Sequence, residues 1–256
     1  MPTLTKNNAK KIRNLKIKKY RLRYHEFIAE GDKIVKELIF SDYQITQLYA
    51  TSAWIKKNCN ILPGYLKPVK LSLEELRSIS HQVTPNQVLA VVKIPGKKEL
   101  HSPENQLTLL IDNLQDPGNL GTIIRTAEWF GIKNIICSED TVDIYNPKVI
   151  QATMGSFCRV ETYYTNLTDY LKNCIDKIPV YGSYLHGQNC FNLNFEKNGI
   201  LVIGNESKGI SPENEKFITT KVTIPAYEKE QFKKPDSLNA SAAASILMAL
   251  IRMNDL

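Results

Sequence analysis

The chain has 256 residues, of which 43% are hydrophobic and 23% charged, and its formal net charge is +7. This composition is that of an ordinary globular protein and excludes global disorder. The sequence contains no run of about 18 apolar residues, and its basic N-terminus lacks the apolar segment of a secretory signal. Five scattered cysteines and four histidines form no ligand spacing, so we expect a cytoplasmic protein without a membrane anchor or a metal.

All of the excess positive charge lies in the first part of the chain. Residues 1–100 carry a net charge of +11, whereas residues 101–256 carry a net charge of −4. Nine basic residues and no acidic residue lie within residues 1–24. Such an asymmetry indicates a polyanionic partner, most simply a nucleic acid, although a solvated basic helix without a partner would show the same pattern.

The first hundred residues mix helical and strand patterns. Predicted helices lie at residues 5–20, 52–58 and 72–79, with apolar runs at residues 45–49 and 88–92. A further amphipathic helix is predicted to contain Ile34, Val35, Leu38 and Ile39. Ser72 and Glu75 have the spacing of a capping box. A polar break around residues 95–105 contains two prolines, and it predicts a boundary between domains at residues 1–98 and 105–256.

Beyond Leu107 the strands become continuous apolar runs, as is typical of strands covered on both faces. Predicted strands lie at residues 107–112, 134–138, 157–162, 179–184, 200–204 and 221–225, and helices at residues 121–130, 147–154, 167–177 and 237–253. This alternation predicts an α/β domain with a mainly parallel sheet. No G-x-G-x-x-G is present, and residues 204–211 lack the Lys-Ser/Thr of a P-loop.

Three loops follow strands and carry polar residues that a simple turn does not need. The first runs from Asn113 through Pro117 and Gly118, which we expect to form a tight turn, to Asn119 near the start of a helix and Arg125 within it. Because ligands bind at the carboxyl ends of parallel strands, this loop is a candidate site. An ordinary turn with a surface arginine remains the alternative.

The second loop begins with Gly204, where the missing side chain leaves room for a ligand against the backbone. Glu206 then places a carboxylate at a strand tip, which is unusual unless it has a partner. Ser211 and Pro212 are typical of a helix start.

The third loop follows Ile224 and Pro225 and ends at Ser237 and Asn239. We expect Ser237 to cap an Ala-rich helix whose small side chains permit another backbone or a cofactor to approach closely. A generic core helix would also fit this pattern.

Together the three loops resemble the motifs of the SpoU-type (TrmH-like) 2′-O-ribose RNA methyltransferases of the SPOUT superfamily. The similarity lies at residues 113–127, 204–209 and 224–241, within residues 106–253. Residues 28–38 are similar to the substrate-binding domain of the same family. Two features differ from the family pattern: Ser207 replaces a common glycine, and the loop at residues 226–236 is longer and more charged.

The resemblance implies a fold that composition and periodicity do not predict. It implies an N-terminal α/β substrate-binding domain of ribosomal-protein type and a C-terminal parallel-sheet SPOUT domain with a deep trefoil knot. Knots are nearly absent among proteins, so this expectation rests on the resemblance alone. The resemblance also implies a homodimer with the first motif near the interface.

For function, the resemblance implies methyl transfer from S-adenosyl-L-methionine to a ribose 2′-hydroxyl of RNA without a metal. The implied cofactor-binding residues are Gly204, Ile224 and Leu238. The implied catalytic residues are Arg125, Asn119, Glu206, Ser237 and Asn239. A guanidinium is a poor base, so we interpret Arg125 as a stabiliser of charge that develops on the 2′-oxygen, and the other four as groups that orient it and the ribose.

The identity of the RNA is not contained in any motif. A substantial separate N-terminal domain favours ribosomal RNA over transfer RNA. Two alternatives stay open at this point: a non-catalytic RNA-binding protein on the same fold, and a SPOUT enzyme that methylates a base.

Overall fold

The structure is a computed structural model, and it describes residues 4–96, 99–100, 103, 106–174, 177–227 and 237–253. The chain divides into two compact units: a first unit of Met1–Lys97 with Asp143–Cys158, and a second unit of Lys98–Val142 with Arg159–Leu256. Within the described residues, no helix is long and apolar enough to cross a membrane, and no group of three metal-ligating side chains occurs. The predicted break at residues 95–105 falls largely outside the described residues.

Helices and strands alternate along most of the chain. The helices are α1 (Lys6–Asn14), α2 (Lys18–Tyr24), α3 (Asp32–Ile39), α4 (Ser52–Asn58), α5 (Leu73–Ile79), α6 (Pro117–Trp129), α7 (Pro147–Thr153), α8 (Leu167–Lys172), α9 (Pro212–Glu215) and α10 (Ala240–Arg252). The strands are β1 (Glu26–Glu30), β2 (Ile45–Ala50), β3 (Val69–Lys70), β4 (Val88–Lys93), β5 (Leu107–Ile111), β6 (Asn134–Ser138), β7 (Glu161–Thr165), β8 (Val180–Asn189), β9 (Gly199–Ile203) and β10 (Thr220–Thr223).

The first unit is built on a four-stranded sheet with the order β1-β4-β2-β3. Strand β4 runs antiparallel to both β1 and β2, and β3 runs parallel to β2. One face is covered by α1 and α5, and Ile12 of α1, Leu15 directly after α1 and Leu76 of α5 are fully buried with Tyr49 of the sheet. The capping box at the start of α5 is confirmed, because the Ser72 hydroxyl accepts from the Glu75 N–H at 3.1 Å and Glu75 accepts from the Ser72 N–H at 2.7 Å.

The predicted single helix at residues 5–20 is wrong, because the chain breaks into α1 and α2. Leu15 is fully buried at the break. The guanidinium of Arg21 returns to this point, and its Nη1 donates to the carbonyls of Leu15 and Lys16 at 2.9 and 2.8 Å. A helix that continued through residue 17 would keep these carbonyls for its own ladder, so the arginine replaces the missing helical donors.

The core of the first unit also contains residues 143–158, which lie between β6 and β7 in the sequence. The ring of Phe27 on β1 lies 4.8 Å from that of Tyr145 and 6.0 Å from that of Phe157, centroid to centroid. The predicted strand at residues 157–162 is therefore wrong at its start. Ser156–Cys158 form a 3₁₀ turn that buries Phe157, and β7 begins only at Glu161.

The second unit contains a six-stranded sheet with the order β10-β8-β9-β5-β6-β7. Every neighbouring pair is parallel, which confirms the predicted mainly parallel sheet. Strands β5 and β9, at the centre, are buried along their whole length. This burial explains why their sequences are continuous apolar runs rather than alternating ones. The trefoil knot stays a prediction.

Two helix starts in the second unit differ from expectation. Asp116 is the N-cap of α6 and accepts from the Asn119 N–H at 2.8 Å, so Pro117 and Gly118 form the first helical turn rather than a tight turn before it. Asn239, not Ser237, caps α10. The start of α9 at Ser211 and Pro212 is confirmed.

Candidate functional site

The loops that follow β5 and β9 lie side by side, because these two strands are parallel neighbours in register from Leu107–Gly199 to Ile111–Ile203. Each loop therefore leaves the sheet at its carboxyl edge, where α/β proteins bind ligands. The first loop leads into α6, and the second forms a turn closed by backbone hydrogen bonds between Asn205 and Gly209 at 2.9 and 3.0 Å.

Three side chains from three distant segments meet at this edge. The amide nitrogen of Asn239 donates to Asn119 Oδ1 at 2.9 Å, and Asn119 Nδ2 donates to Glu206 Oε1 at 3.0 Å. Asn119 is buried, whereas Glu206 and Asn239 are exposed. A carboxylate at a strand tip was expected to have a partner. For Glu206 that partner is Asn119, which lies 87 residues earlier in the chain.

The direction of these hydrogen bonds follows from the helix cap. Asn239 Oδ1 accepts from the backbone N–H groups of Ser241 and Ala242 at 3.0 and 3.2 Å, so its Nδ2 must point towards Asn119. Asn119 then presents its oxygen to Asn239 and its nitrogen to Glu206. Because that nitrogen is a donor, the Glu206 oxygen that faces it accepts the hydrogen bond.

This chain of hydrogen bonds borders an open cleft of about 610 Å³. The cleft is lined by Gln115, Asp116, Pro117, Asn119, Glu206 and Asn239. Three of the five predicted catalytic residues therefore share one cleft. Its polar groups can hold a hydroxyl-bearing ligand, with the exposed carboxylate as a hydrogen-bond acceptor.

Arg125 does not line this cleft. It follows Asn119 by six residues on α6, which places it about 120° away around the helix. The side chain is exposed and has no hydrogen bond or ion pair to any described residue. Thr122 and Trp129 share its face of the helix, and Trp129 is 85% exposed.

Ser237 lies exposed two residues before the cap of α10 and is not among the residues that line the cleft. The structure therefore does not bring it into the Glu206–Asn119–Asn239 chain. Of the predicted 226–236 loop, residues 228–236 lie outside the described residues.

Gly204 has a structural reason to be glycine besides the one inferred from sequence. A Cβ at this position would overlap the backbone of Gly209 and Ile210, which folds back over it. Replacement of Gly204 by valine would therefore distort the turn that carries Glu206, and such a variant tests the turn and a ligand pocket together.

The other two predicted cofactor residues are aliphatic and accessible. Ile224 directly follows β10 and is half-buried, and Leu238 precedes the cap of α10 and is 49% exposed. Leu185 is a third accessible aliphatic residue at this edge, and no sequence motif pointed to it. Its carbonyl accepts from Thr223 Oγ1 at 2.9 Å, which holds it beside the end of β10, and its side chain is 65% exposed.

Leu185 lies in an irregular part of β8. The pairing of β8 with β10 jumps from Gly182–Lys221 to Gln188–Val222, so residues 183–187 bulge from the ladder. Gly187 is the residue in the sequence that could have indicated this bulge. A Cβ at this position would clash with the backbone of Lys221 and Val222. Three accessible aliphatic side chains at the carboxyl edge fit the apolar faces of an adenine ring, so the residues present suit an adenosyl cofactor.

The geometry of this edge agrees with a comparison to known proteins. The model of the SpoU rRNA Methylase family matches residues 106–249, which is more than half of the chain. The chain belongs to this family. A second model, the MRM3-like substrate binding domain, matches residues 6–90. The resemblance inferred from the three loops is thereby confirmed.

Individual relatives extend the likeness over nearly the whole chain. The 23S rRNA (guanosine(2553)-2′-O)-methyltransferase RlmP of Bacillus subtilis is 28% identical over 246 residues, which are 94% of each protein. A putative RNA methyltransferase of the TrmH family from Porphyromonas gingivalis is 37% identical, with a TM-score of 0.86 over 99% of this chain and 100% of that one. An AdoMet-bound rRNA methyltransferase from Sinorhizobium meliloti is 25% identical, with a TM-score of 0.85 over 100% of this chain and 98% of that one.

Proposed function

We propose that this protein is a methyltransferase that moves a methyl group from S-adenosyl-L-methionine to a ribose 2′-hydroxyl of ribosomal RNA. The observation that carries the proposal is the Glu206–Asn119–Asn239 chain at the cleft of a SpoU-family fold. The names of the relatives from Bacillus subtilis and Sinorhizobium meliloti support ribosomal RNA as the substrate. The five free cysteines are consistent with action in the cytoplasm.

Glu206 is the group placed to receive the ribose. One carboxylate oxygen accepts from Asn119, and the exposed side chain leaves the other oxygen available to the cleft. There it accepts a hydrogen bond from the 2′-hydroxyl and directs a lone pair of that oxygen towards the methyl group. Asn119 and Asn239 hold the carboxylate in this orientation, since the side-chain oxygen of each asparagine accepts a hydrogen bond and its nitrogen donates one.

The aliphatic side chains of Leu185, Ile224 and Leu238, with the backbone beyond Gly204, are the groups that hold the cofactor. When bound, S-adenosyl-L-methionine supplies a methyl group on a sulfonium, which departs as a neutral thioether once the methyl has moved to the 2′-oxygen. The hydroxyl proton passes to the Glu206 carboxylate, which accepts the hydrogen bond from that hydroxyl, and from there to water in the open cleft. No metal is needed in this scheme, because the leaving group carries no negative charge.

We propose that the enzyme is a homodimer, joined along the face of α6 that contains Thr122, Arg125 and Trp129. An 85% exposed tryptophan on a helix is typical of an interface. Arg125 does not border the cleft of its own chain, so in such a dimer it would reach the cleft of the partner subunit. There its guanidinium would stabilise the negative charge that develops on the 2′-oxygen.

The first unit is the region that we propose to bind the RNA. Lys16, Lys18, Lys19 and Arg23 are exposed around α2, and Ile17 and Leu22 lie exposed among them, 53% and 57% respectively. The cations suit phosphate groups and the aliphatic side chains suit bases or sugars. Arg21 is not part of this surface, because it is buried.

The direct test of function is to map methylated riboses in ribosomal and transfer RNA from cells with and without the gene. We expect one 2′-O-methyl mark in ribosomal RNA to disappear, and the purified protein with labelled cofactor to restore it. A mark lost from transfer RNA would contradict the substrate, and a methylated base would contradict the reaction. Binding of RNA without methyl transfer would instead indicate an RNA-binding protein.

The role of Arg125 is tested by mixing two variants. Arg125→Ala and Glu206→Gln homodimers should each lose at least about a hundredfold in single-turnover rate. If the arginine acts in the partner's cleft, subunit exchange between them creates one intact site per mixed dimer and restores activity. If it acts within its own chain, or if the protein is a monomer, mixing restores nothing. Arg125→Lys should stay weak, because an ammonium cannot reproduce the planar fork of donors.

A further inference from the structure

The turn that carries Glu206 is attached by hydrogen bonds at two points to the residues that directly follow β5. These are Asp112 and Asn113, and their contacts reach both ends of the segment from Asn205 to Asn214. Neither Asp112 nor Asn205 touches the proposed ribose position, and the mechanism above does not use them. Their contacts nevertheless decide where the carboxylate of Glu206 lies.

Asn205 makes the first fastening. Its Nδ2 donates to the carbonyl of Asn113 at 2.7 Å, across the two loops. Its Oδ1 accepts from the backbone N–H groups of Ser207 and Lys208 at 3.0 and 3.1 Å. A single side chain therefore shapes the turn around Glu206 and ties that turn to the neighbouring loop.

The carbonyl that receives Asn205 is itself held in place. Asn113 has a left-handed backbone with φ 57°, which asparagine tolerates better than most residues. Its N–H donates to Ser138 Oγ at 2.9 Å, and its side-chain oxygen accepts from Gln115 Nε2 at 2.6 Å. The fastening point is thus a rigid part of the loop that leads to Asn119.

Asp112 makes the second fastening, at the far end of the turn. Its carboxylate is 3% exposed, and Oδ2 accepts from the Ser211 N–H at 2.8 Å, from Ser211 Oγ at 2.7 Å and from Asn214 Nδ2 at 3.0 Å. A buried carboxylate with three donors fixes the start of α9 against the end of β5.

We propose that Asn205 and Asp112 are positioning residues that hold Glu206 against Asn119 for methyl transfer. Glu206 is exposed, and its hydrogen bond with Asn119 orients one carboxylate oxygen but does not place the backbone of the turn. The backbone beneath it must therefore be held from outside the turn. The inference rests on the proposed function, because it assigns a purpose to the position of Glu206.

The sharpest variant is Asn205→Asp. The new carboxylate keeps an acceptor for the Ser207 and Lys208 N–H groups but places an oxygen against the Asn113 carbonyl, so only the link between loops is lost. We expect the single-turnover rate at saturating cofactor and RNA to fall at least about tenfold, since small misplacements of a catalytic group are costly. Ser207→Ala is the matched control, because it removes only a long 3.4 Å bond within the same turn. It should keep the wild-type rate.

A double-mutant cycle separates positioning from a general loss of structure. If Asn205 acts through Glu206, Asn205→Asp should slow a Glu206→Gln enzyme by less than twofold. An equal slowing in both backgrounds would overturn the proposal, as would a wild-type rate for Asn205→Asp alone. Asp112→Asn, which turns one acceptor into a donor at the other end, should show the same non-additivity with Glu206→Gln.

A spectroscopic measurement tests the same proposal without any reaction. The side-chain amide signal of Asn119 in a nitrogen-labelled sample reports its bond to Glu206. We expect Asn205→Asp to move this signal towards its position in Glu206→Gln, and Ser207→Ala to leave it in place. An unchanged signal in Asn205→Asp overturns the positioning role. A shifted signal in a protein that methylates no ribose would instead reject the proposed function alone.

Discussion

Arg21 in the first unit and Glu206 in the second are charged residues that take part in hydrogen-bonded networks, yet the two networks are built in opposite ways. The Arg21 side chain is 3% exposed, and all three of its nitrogens donate, to Asp143 and to two backbone carbonyls. Glu206 is exposed and receives its described hydrogen bond on one carboxylate oxygen.

The difference in burial and hydrogen bonding distinguishes a structural role for Arg21 from a chemical role for Glu206. A buried charge with every donor satisfied has nothing left to offer a ligand, and its role is to close the break between α1 and α2. In Glu206, one carboxylate oxygen accepts the hydrogen bond from Asn119, and the other oxygen stays available to a ligand. Charge alone would have grouped both residues as functional, whereas burial and bonding distinguish them.

The largest effect should come from Arg21→Ala. Removal of the guanidinium leaves Asp143 Oδ2 and two backbone carbonyls without their donor, so we expect the free energy of unfolding to fall by about 3–5 kcal/mol. Arg23→Ala, two residues away and exposed, should change it by less than about 0.5 kcal/mol. Urea unfolding of both variants measures the difference. Similar values for the two would mean that the Arg21–Asp143 pair does not stabilise the first unit.

Glu206→Gln should leave stability nearly unchanged and lower the single-turnover rate at least about a hundredfold, a loss of about 2.7 kcal/mol in transition-state stabilisation. An amide in place of the carboxylate is a weaker acceptor for the ribose hydroxyl. Glu213→Gln removes an exposed carboxylate on α9 and is the control. Rates within threefold of wild type for both variants would show that the carboxylate of Glu206 has no part in the reaction.

Replacement of Lys16, Lys18, Lys19 and Arg23 by alanine should weaken RNA binding while S-adenosyl-L-methionine affinity stays the same. Each lost phosphate contact should make the dependence of log affinity on log salt shallower by roughly 0.9 for a duplex. Arg21 is left intact in this variant, because its loss would unfold the surface being tested. An unaltered salt slope, measured by titration between low and physiological salt, would place the RNA elsewhere.

The smallest effect concerns His81, whose pKa is lowered to about 4 by burial and by the nearby cations Lys16 and Arg21. Its Nδ1 is buried without a hydrogen-bond partner among the described residues, so protonation there is unfavourable. The folded pKa lies below the unfolded value of about 6.5, so the contribution to stability is complete above pH 6.5 and is lost as the pH falls towards 4.

His81→Gln should therefore reduce the loss of unfolding free energy between pH 7 and 4.5, by an amount on the order of 1 kcal/mol after allowance for partial exposure. Glu30 accepts from the His81 N–H and has a raised pKa, so its own contribution has the opposite sign and is common to both proteins. Urea unfolding at the two pH values gives the comparison. An equal loss in wild type and His81→Gln would assign the acid sensitivity to other groups.

Local signals in the sequence determined the architecture of the second unit and the family. Continuous apolar runs predict buried parallel strands, and the three loops that follow them contain Asn119, Glu206 and Asn239 at the right ends of those strands. The caps at Ser72 and Ser211 are read over three or four residues, so they too could be predicted. Each of these inferences depends on neighbours in the chain, which the sequence displays directly.

Only the tertiary structure decided which distant groups meet. Arg21 pairs with Asp143 across 122 residues, and the burial of Arg21 made one of the nine basic residues within residues 1–24 part of a structural pair. Asn239 caps α10, although the local sequence predicts Ser237 as the cap. As the cap, Asn239 orients the amide of Asn119 and, through that amide, the carboxylate of Glu206. Position around a helix likewise turned Arg125 away from the cleft of its own chain. Contacts of this kind depend on how the sheet and helices pack, and packing is a property of the whole fold rather than of any short segment.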